Sequence, residues 1–332
     1  MKIGINAGQK FWEVYNETAR ARLEQLGASF AEVPRERAVT EGDVVELVRD
    51  ADVVVGTWGM LPFTRRVLDA CPSVGLVVYA AGSVKGFVTE ELRDRGVTVL
   101  SAAHINGRPV AEFVLGIMIT ELKGVFRANA RIHDAGRLAW RRSEIESPGL
   151  YGSTVGLIGL GKITRYLIGL LRPFDVRIMV EDPYLEESQA KELGVEKASI
   201  EQIMQEADVV SLHHANIPQN WGMITRERLA LMKPGSAFVN TSRGRLVDEA
   251  ALVDALRTQD LVAYLDVTYP EPPEDGHPFY SLPNCILTPH VAGSYAREVE
   301  RMGEWAVDQV EAWSNGKPLD GVVDLGRLDS IA

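Results

Sequence analysis

Short β-branched runs alternate with amphipathic stretches from the first residues onward. Lys2–Ile5, Ala28–Val33, Asp52–Thr57, Gly75–Ala80 and Thr98–Ser101 read as strands, with helical periodicity between them at Glu13–Leu26 and Thr64–Ala70. Near-continuous apolar strands separated by helices predict a parallel sheet covered on both faces. Five such strands predict a flavodoxin-like first domain. From Arg108 the pattern changes to a long helix. Val110–Ile119 is apolar almost throughout, and charges mix in towards Trp140. A stretch this apolar is expected to be buried in part by another domain or a second subunit. Pro148-Gly149 then breaks the chain. A second series follows: Thr154–Ile158, Val176–Val180, Ala207–His213, Ser236–Asn240, Leu261–Asp266 and Cys285–Leu287. Six strands are the complement of a dinucleotide-binding sheet. A final helix over Tyr295–Trp313 is expected to return to the first domain.

The second series opens on a glycine turn, Gly156-Leu157-Ile158-Gly159-Leu160-Gly161, with Asp182 at the end of the next strand. Such a turn lets backbone N–H groups approach a pyrophosphate at a helix N-terminus, and an acid about 20 residues on suits a ribose hydroxyl. Glu181 adds negative charge and no arginine follows directly, which favours NAD over its 2′-phosphorylated form.

Composition narrows the partners. A chain of 332 residues with 46% hydrophobic and 24% charged positions reads as two globular domains. Its net charge of −11 argues against nucleic acid and anionic membranes. The basic pairs Arg65-Arg66 and Arg141-Arg142 read as solvated surface. Cys71 and Cys285 have neither disulfide-framework nor metal-site spacing, so no metal is expected. There is no signal-like N-terminus and no apolar run long enough to span a bilayer, so the expected location is cytoplasmic.

In an open α/β sheet, ligands bind beyond the carboxyl ends of the strands. There the sequence puts His213 and His214, then Asn240-Thr241-Ser242-Arg243-Gly244, then Asp266 with Glu271, then Thr288-Pro289-His290. Histidine suits proton transfer near neutral pH, a neighbouring carboxylate orients it, and arginine can grip a substrate carboxylate. His213 and His214 fit cleft lining and packing equally and receive no catalytic role. His104 and Asn106 sit near the expected hinge, and Trp58-Gly59-Met60 fits a substrate wall or a packed loop.

Together these residues resemble the NAD-dependent D-2-hydroxyacid dehydrogenases. The match runs through Thr154–Lys162, Asp182-Pro183-Tyr184, Ala207–His213, Leu229–Gly235, Asn240–Leu252, Leu265–Val267, Glu271-Pro272 and Leu287–Gly293, with Asn106 and Val110–Glu112 upstream. The resemblance implies a Rossmann NAD-binding domain (104–291) inserted into a flavodoxin-like substrate domain (1–103 with 292–332). It implies catalytic roles for Arg243, Glu271 and His290. It implies NAD contacts from Gly159, Leu160, Gly161, Lys162, Ile163, Asp182 and Thr241, with Asp266 on the nicotinamide carboxamide. Ala81, Gly82 and Ser83, with Arg243, would bind the substrate, a small 2-oxo or 2-hydroxy carboxylate. A homodimer is implied, with Trp140 and Arg141 reaching across it.

The sequence departs from the family pattern at Thr164, which replaces the third glycine and suggests looser helix–strand packing. Val84 and Gly86 in the substrate loop and Ala215 after the Ala207–His213 strand depart as well. Two rival readings stand beside the enzyme: an NAD-sensing corepressor on the same fold, and a formate-type enzyme, against which Glu271 speaks because relatives of that type place glutamine there.

Overall fold

The computed structural model describes residues 1–141 and 147–330, so Arg142 of the second basic pair lies outside the described residues. Met1–Gly107 with Ser294–Asp329 forms one compact unit, and Arg108–Gly293 makes up most of the other. The divisions fall after Gly107 and after Gly293.

In the first unit, β1 (Ile3–Asn6), β2 (Val53–Gly56), β3 (Leu76–Tyr79) and β4 (Thr98–Ser101) lie parallel in that order. Ile5 faces Val55, which faces Val78. The run Ala28–Val33 does not become the expected fifth strand. Only Ala28 bridges Ile3. Phe30 is drawn onto the Phe11 ring, with centroids 5.2 Å apart, and the Val33 amide closes a turn on the Phe30 carbonyl just before Pro34. A buried aromatic and a proline outweigh the strand pattern there. The bridge still sets residue 28 outside β1, which preserves the flavodoxin-like order. At the opposite edge Val322 bridges Leu100.

The helical stretch 13–26 is divided into Phe11–Val14 and Glu17–Gln25, restarted by Asn16, whose side chain accepts from the Ala19 amide. The last helix begins at Glu298 instead of Tyr295 and ends at Ser314. It does return to the first unit, burying Met302, Trp305, Ala306, Val307 and Val310 in that core.

The second unit holds β5 (Thr154–Ile158), β6 (Arg177–Glu181), β7 (Glu196–Lys197), β8 (Val209–Leu212), β9 (Ser236–Asn240), β10 (Leu261–Leu265) and β11 (Cys285–Leu287). Their order is β11-β10-β9-β8-β5-β6-β7, all parallel. The seventh strand, β7, is two exposed charged residues with no hydrophobic signal to betray it. The strand order reverses direction between β5 and β8, the place where such sheets bind ligands.

The long helix begins at Ala103, not Arg108, carries Pro109 inside it, and stops at Leu122. Gly124, at φ +64°, ends it, and a second helix runs Val125–Ala135. Val110, Val114, Met118 and Leu122, spaced every four residues, pack with Val155, Leu157 and Val180 of the same unit. The second helix buries none of its residues. Among the described residues no helix is long and apolar enough to cross a membrane.

Candidate active site

The three glycines in and after β5 do different work. A Cβ on Gly156 would come within 2.3 Å of Ile203, so this position lets a helix press on the strand. Gly159 has φ +100°, and a Cβ there would meet the His214 amide nitrogen at 2.8 Å. Gly161 faces nothing within 4 Å. It caps the helix Lys162–Leu171 without a side chain, so the first-turn amides of Lys162 and Ile163 have no intrahelical acceptor. An open, positively polarised helix end is suited to a pyrophosphate. Thr164 is fully buried, and its hydroxyl donates to the Gly159 carbonyl at 2.6 Å, a tie between helix and turn that a glycine could not make.

Asp182 lies just past β6 and accepts from the Leu160 amide (2.8 Å) and the Tyr184 amide (2.9 Å). Two donors leave acceptor capacity on a carboxylate for a ribose diol. Beyond β8 and β9, His213 Nδ1 and Thr241 Oγ1 are buried without a hydrogen-bond partner. Buried polar atoms are normally paired, and a polar ligand at these strand ends would pair them. These residues fit a dinucleotide. His213 is neutral: burial, then His214, brings its pKa down to about 4. Its Nε2 pairs with the Ser211 hydroxyl.

His290 and Glu271 come together. The Nδ1 of His290 lies 2.6 Å from Glu271 Oε1, and both side chains are partly exposed. A carboxylate can only accept, so Nδ1 carries the hydrogen and Nε2 is left for proton exchange. His290 has φ +57°, a conformation uncommon for any residue but glycine. Its conformation is held by Asp266, which is 3% exposed. The Asp266 carboxylate accepts from the Thr288 hydroxyl (2.6 Å) and the amides of Val291 (2.8 Å) and Ala292 (3.0 Å). Its carbonyl accepts from the His290 amide. The family resemblance assigns Asp266 to the nicotinamide carboxamide; the three donors it already accepts leave acceptor capacity on the carboxylate for that contact. Asp266, Glu271 and His290 line a cavity of about 370 Å³ with Pro272, Tyr280 and Leu287.

Arg243 stands on the adjoining loop. Asn240, 1% exposed, fixes that loop by donating to the Arg243 carbonyl and accepting from the Ser242 amide, while Ser242 Oγ donates to the Leu212 carbonyl. A Cβ on Gly244 would fall 2.1 Å from the Thr268 carbonyl carbon. The β9 and β10 loops therefore touch backbone to backbone. The guanidinium is exposed and donates to the Ser242 carbonyl; it does not line the cavity that holds His290. Outside it, Arg245 lies over the rings of Trp221 and Tyr269. The Tyr269 amide donates to Glu249, whose pKa burial pushes up to about 7.

In the first unit, Ala81 and Gly82 follow β3, and both carbonyls accept from the buried Ser101 hydroxyl. Val84 is 3% exposed and buries its side chain instead of offering it to a ligand, and Gly86 meets open space. Thr57 and Asn6 tie neighbouring strand ends, Thr57 to the Ala80 carbonyl and Asn6 to Leu61. His104 pairs with Asp320, and Asn106 accepts from the Ser294 amide, so both hold chain segments together.

One contact between strand ends was not foreseen from the sequence. His214 Nε2 lies 2.8 Å from Glu181 Oε2, with side chains 12% and 17% exposed. The signal was available only through strand order: β6 and β8 both flank β5, which brings their ends together.

The family model described as "D-isomer specific 2-hydroxyacid dehydrogenase, NAD binding domain" matches residues 115–292. The chain belongs to the D-isomer specific 2-hydroxyacid dehydrogenase family. Its NAD-binding domain is thus the one this family shares. Among relatives of this dehydrogenase family, the chain is 31% identical to D-3-phosphoglycerate dehydrogenase of Methanocaldococcus jannaschii over 94% of its own length and 58% of the relative's. It therefore spans only about half the length of several phosphoglycerate dehydrogenases it matches. It is 30% identical to glyoxylate reductase of Korarchaeum cryptofilum over 82% of this chain and 83% of that one. The solved TT0316 protein of Thermus thermophilus has a similar structure, with a TM-score of 0.76, 29% identity, and coverage of 97% of this chain and 100% of that one.

Proposed function

We propose that this chain interconverts a D-2-hydroxy acid and a 2-oxo acid with NAD(H). The observation that carries the reading is the His290–Glu271 pair at 2.6 Å, presented by a loop that Asp266 clamps. When bound, the coenzyme supplies hydride to the carbonyl carbon or takes it from the alcohol. In the reducing direction His290 donates the Nε2 proton to the carbonyl oxygen, and Glu271 stabilises the cationic ring before the transfer. Arg243 swings from the Ser242 carbonyl to hold the substrate carboxylate and the charge growing on the carbonyl oxygen.

The test is NADH oxidation, followed by absorbance, against glyoxylate, hydroxypyruvate, pyruvate, phenylpyruvate, 2-oxoisocaproate and 3-phosphohydroxypyruvate. Turnover of at least one is expected. Arg243→Ala should lower kcat/KM for it by about a hundredfold, the scale of losing one preorganised donor at a developing oxyanion. Parental turnover in that variant would refute the arginine's role. NADH binding with no turnover of any acid would favour a coenzyme-sensing scaffold instead.

We also infer a homodimer. The support is the apolar surface beside the uncovered helix: Val125, Phe126, Leu138, Trp140 and Tyr151 are 42–85% exposed. A second copy is the occupant that would cover such a patch symmetrically. Light scattering at micromolar concentration is expected to give twice the chain mass, and Trp140→Glu should shift it towards the monomer. A parental monomer would rule the dimer out. A cytoplasmic location is supported by two free thiols, Cys71 and Cys285.

A further inference from the structure

The β6–β8 contact carries an inference that rests on the NAD reading and sharpens it. Glu181 is the last residue of β6, and Asp182, the ribose candidate, follows it directly. His214 comes two residues after β8. Between these strands lies β5 with the glycine turn, so the Glu181–His214 pair spans the end of β5. The turn is fastened from both sides. The Gly159 amide donates to the Glu181 carbonyl at 2.7 Å, and Gly159 has no room for a Cβ against the His214 backbone. Two carboxylates thus stand at one strand end. Asp182 suffices for a diol, and it is the one fixed to the turn by Leu160.

We propose that Glu181, anchored by His214, is the charge that rejects the 2′-phosphorylated coenzyme. The His214 imidazole, 2.8 Å away through Nε2, holds the carboxylate in place. The second negative charge then stands beside the ribose position, where a 2′-phosphate would bring nearly two more. Repulsion between partly buried charges is screened less than at the open surface. Glu181 and His214 act on coenzyme choice and not on the hydride or proton step, so their effect is visible in binding alone.

The experiment is titration of the purified full chain with NADH and with NADPH, without substrate, followed by protein-to-nicotinamide energy transfer. The parent should bind NADH far more tightly. Glu181→Gln, which keeps the size of the side chain, should tighten NADPH by about tenfold and leave NADH within about threefold. His214→Leu should erode the preference, whereas His214→Gln, which can still donate to the carboxylate, should keep it. If Glu181→Gln moves both coenzymes in parallel, or neither, the residue is structural and the proposal falls. If His214→Leu keeps the parental ratio, the anchoring half falls. A parent that binds neither coenzyme overturns the NAD reading and takes this inference with it.

Discussion

Replacing His290 by glutamine is expected to lower kcat/KM for 2-oxo acid reduction by about a hundred- to ten-thousandfold, the range that a positioned general acid contributes. Glutamine keeps a hydrogen-bonding group of similar reach beside Glu271 but has no proton to give near neutral pH. Because His290 lies outside the glycine turn and away from Asp182, NADH affinity should stay close to parental, and single-turnover measurements should assign the loss to the chemical step. Glu271→Gln should produce a smaller loss in the same direction, since it leaves the imidazole in place and removes only the charge that favours its protonated form. A His290→Gln variant that reduced its substrate at the parental rate would exclude His290 as the acid.

Asp266→Ala is expected to be the most destabilising single change near the site. The carboxylate satisfies the Thr288 hydroxyl and two amides, and it does so almost out of solvent contact. Buried donors left without an acceptor cost about 1–3 kcal/mol each, so a total loss of about 3 kcal/mol or more is expected. For a unit of this size that lowers Tm by about 6–12 °C. Activity should fall further than unfolding alone explains at temperatures where the variant is folded. His290 at φ +57° would be free to relax to a commoner backbone conformation, and its ring would leave Glu271. Scanning calorimetry and activity at low temperature separate the two effects. Unchanged Tm and unchanged kcat would mean that the clamp is dispensable.

The fold was legible wherever strands were continuous Val, Ile and Leu runs, because such runs have one physical solution in an α/β protein. Ten of the expected strand runs and both parallel sheets are of this kind. It was not legible where a local preference lost to packing. Phe30 chose the Phe11 ring over a strand register. Gly124 cut one long apolar pattern into two helices, and only the first has a stripe that its own sheet covers. β7 is formed from Glu196 and Lys197 because β6 offers an open edge, and no pattern in two charged residues could announce it.

For the site, residue types at strand ends were enough to nominate His290, Glu271 and Arg243, because topology alone brings those ends to one rim. Contacts between neighbouring strand ends were not readable. The Glu181–His214 pair needs the order β6-β5-β8, and the Asp266 clamp needs the path of residues 288–292. The part Thr164 plays was unreadable for a related reason: its hydroxyl, absent from a glycine, makes a bond that only three-dimensional proximity reveals.

The backbone contact at Gly244 has a bearing on how the proposed activity could be redesigned. No side chain fits there, so the arginine and the glutamate ride on two turns that must shift as one piece. Libraries that randomise positions 242–245 to win a new substrate will mostly recover broken enzymes. Variety is better sought in residues whose replacement leaves that seam intact.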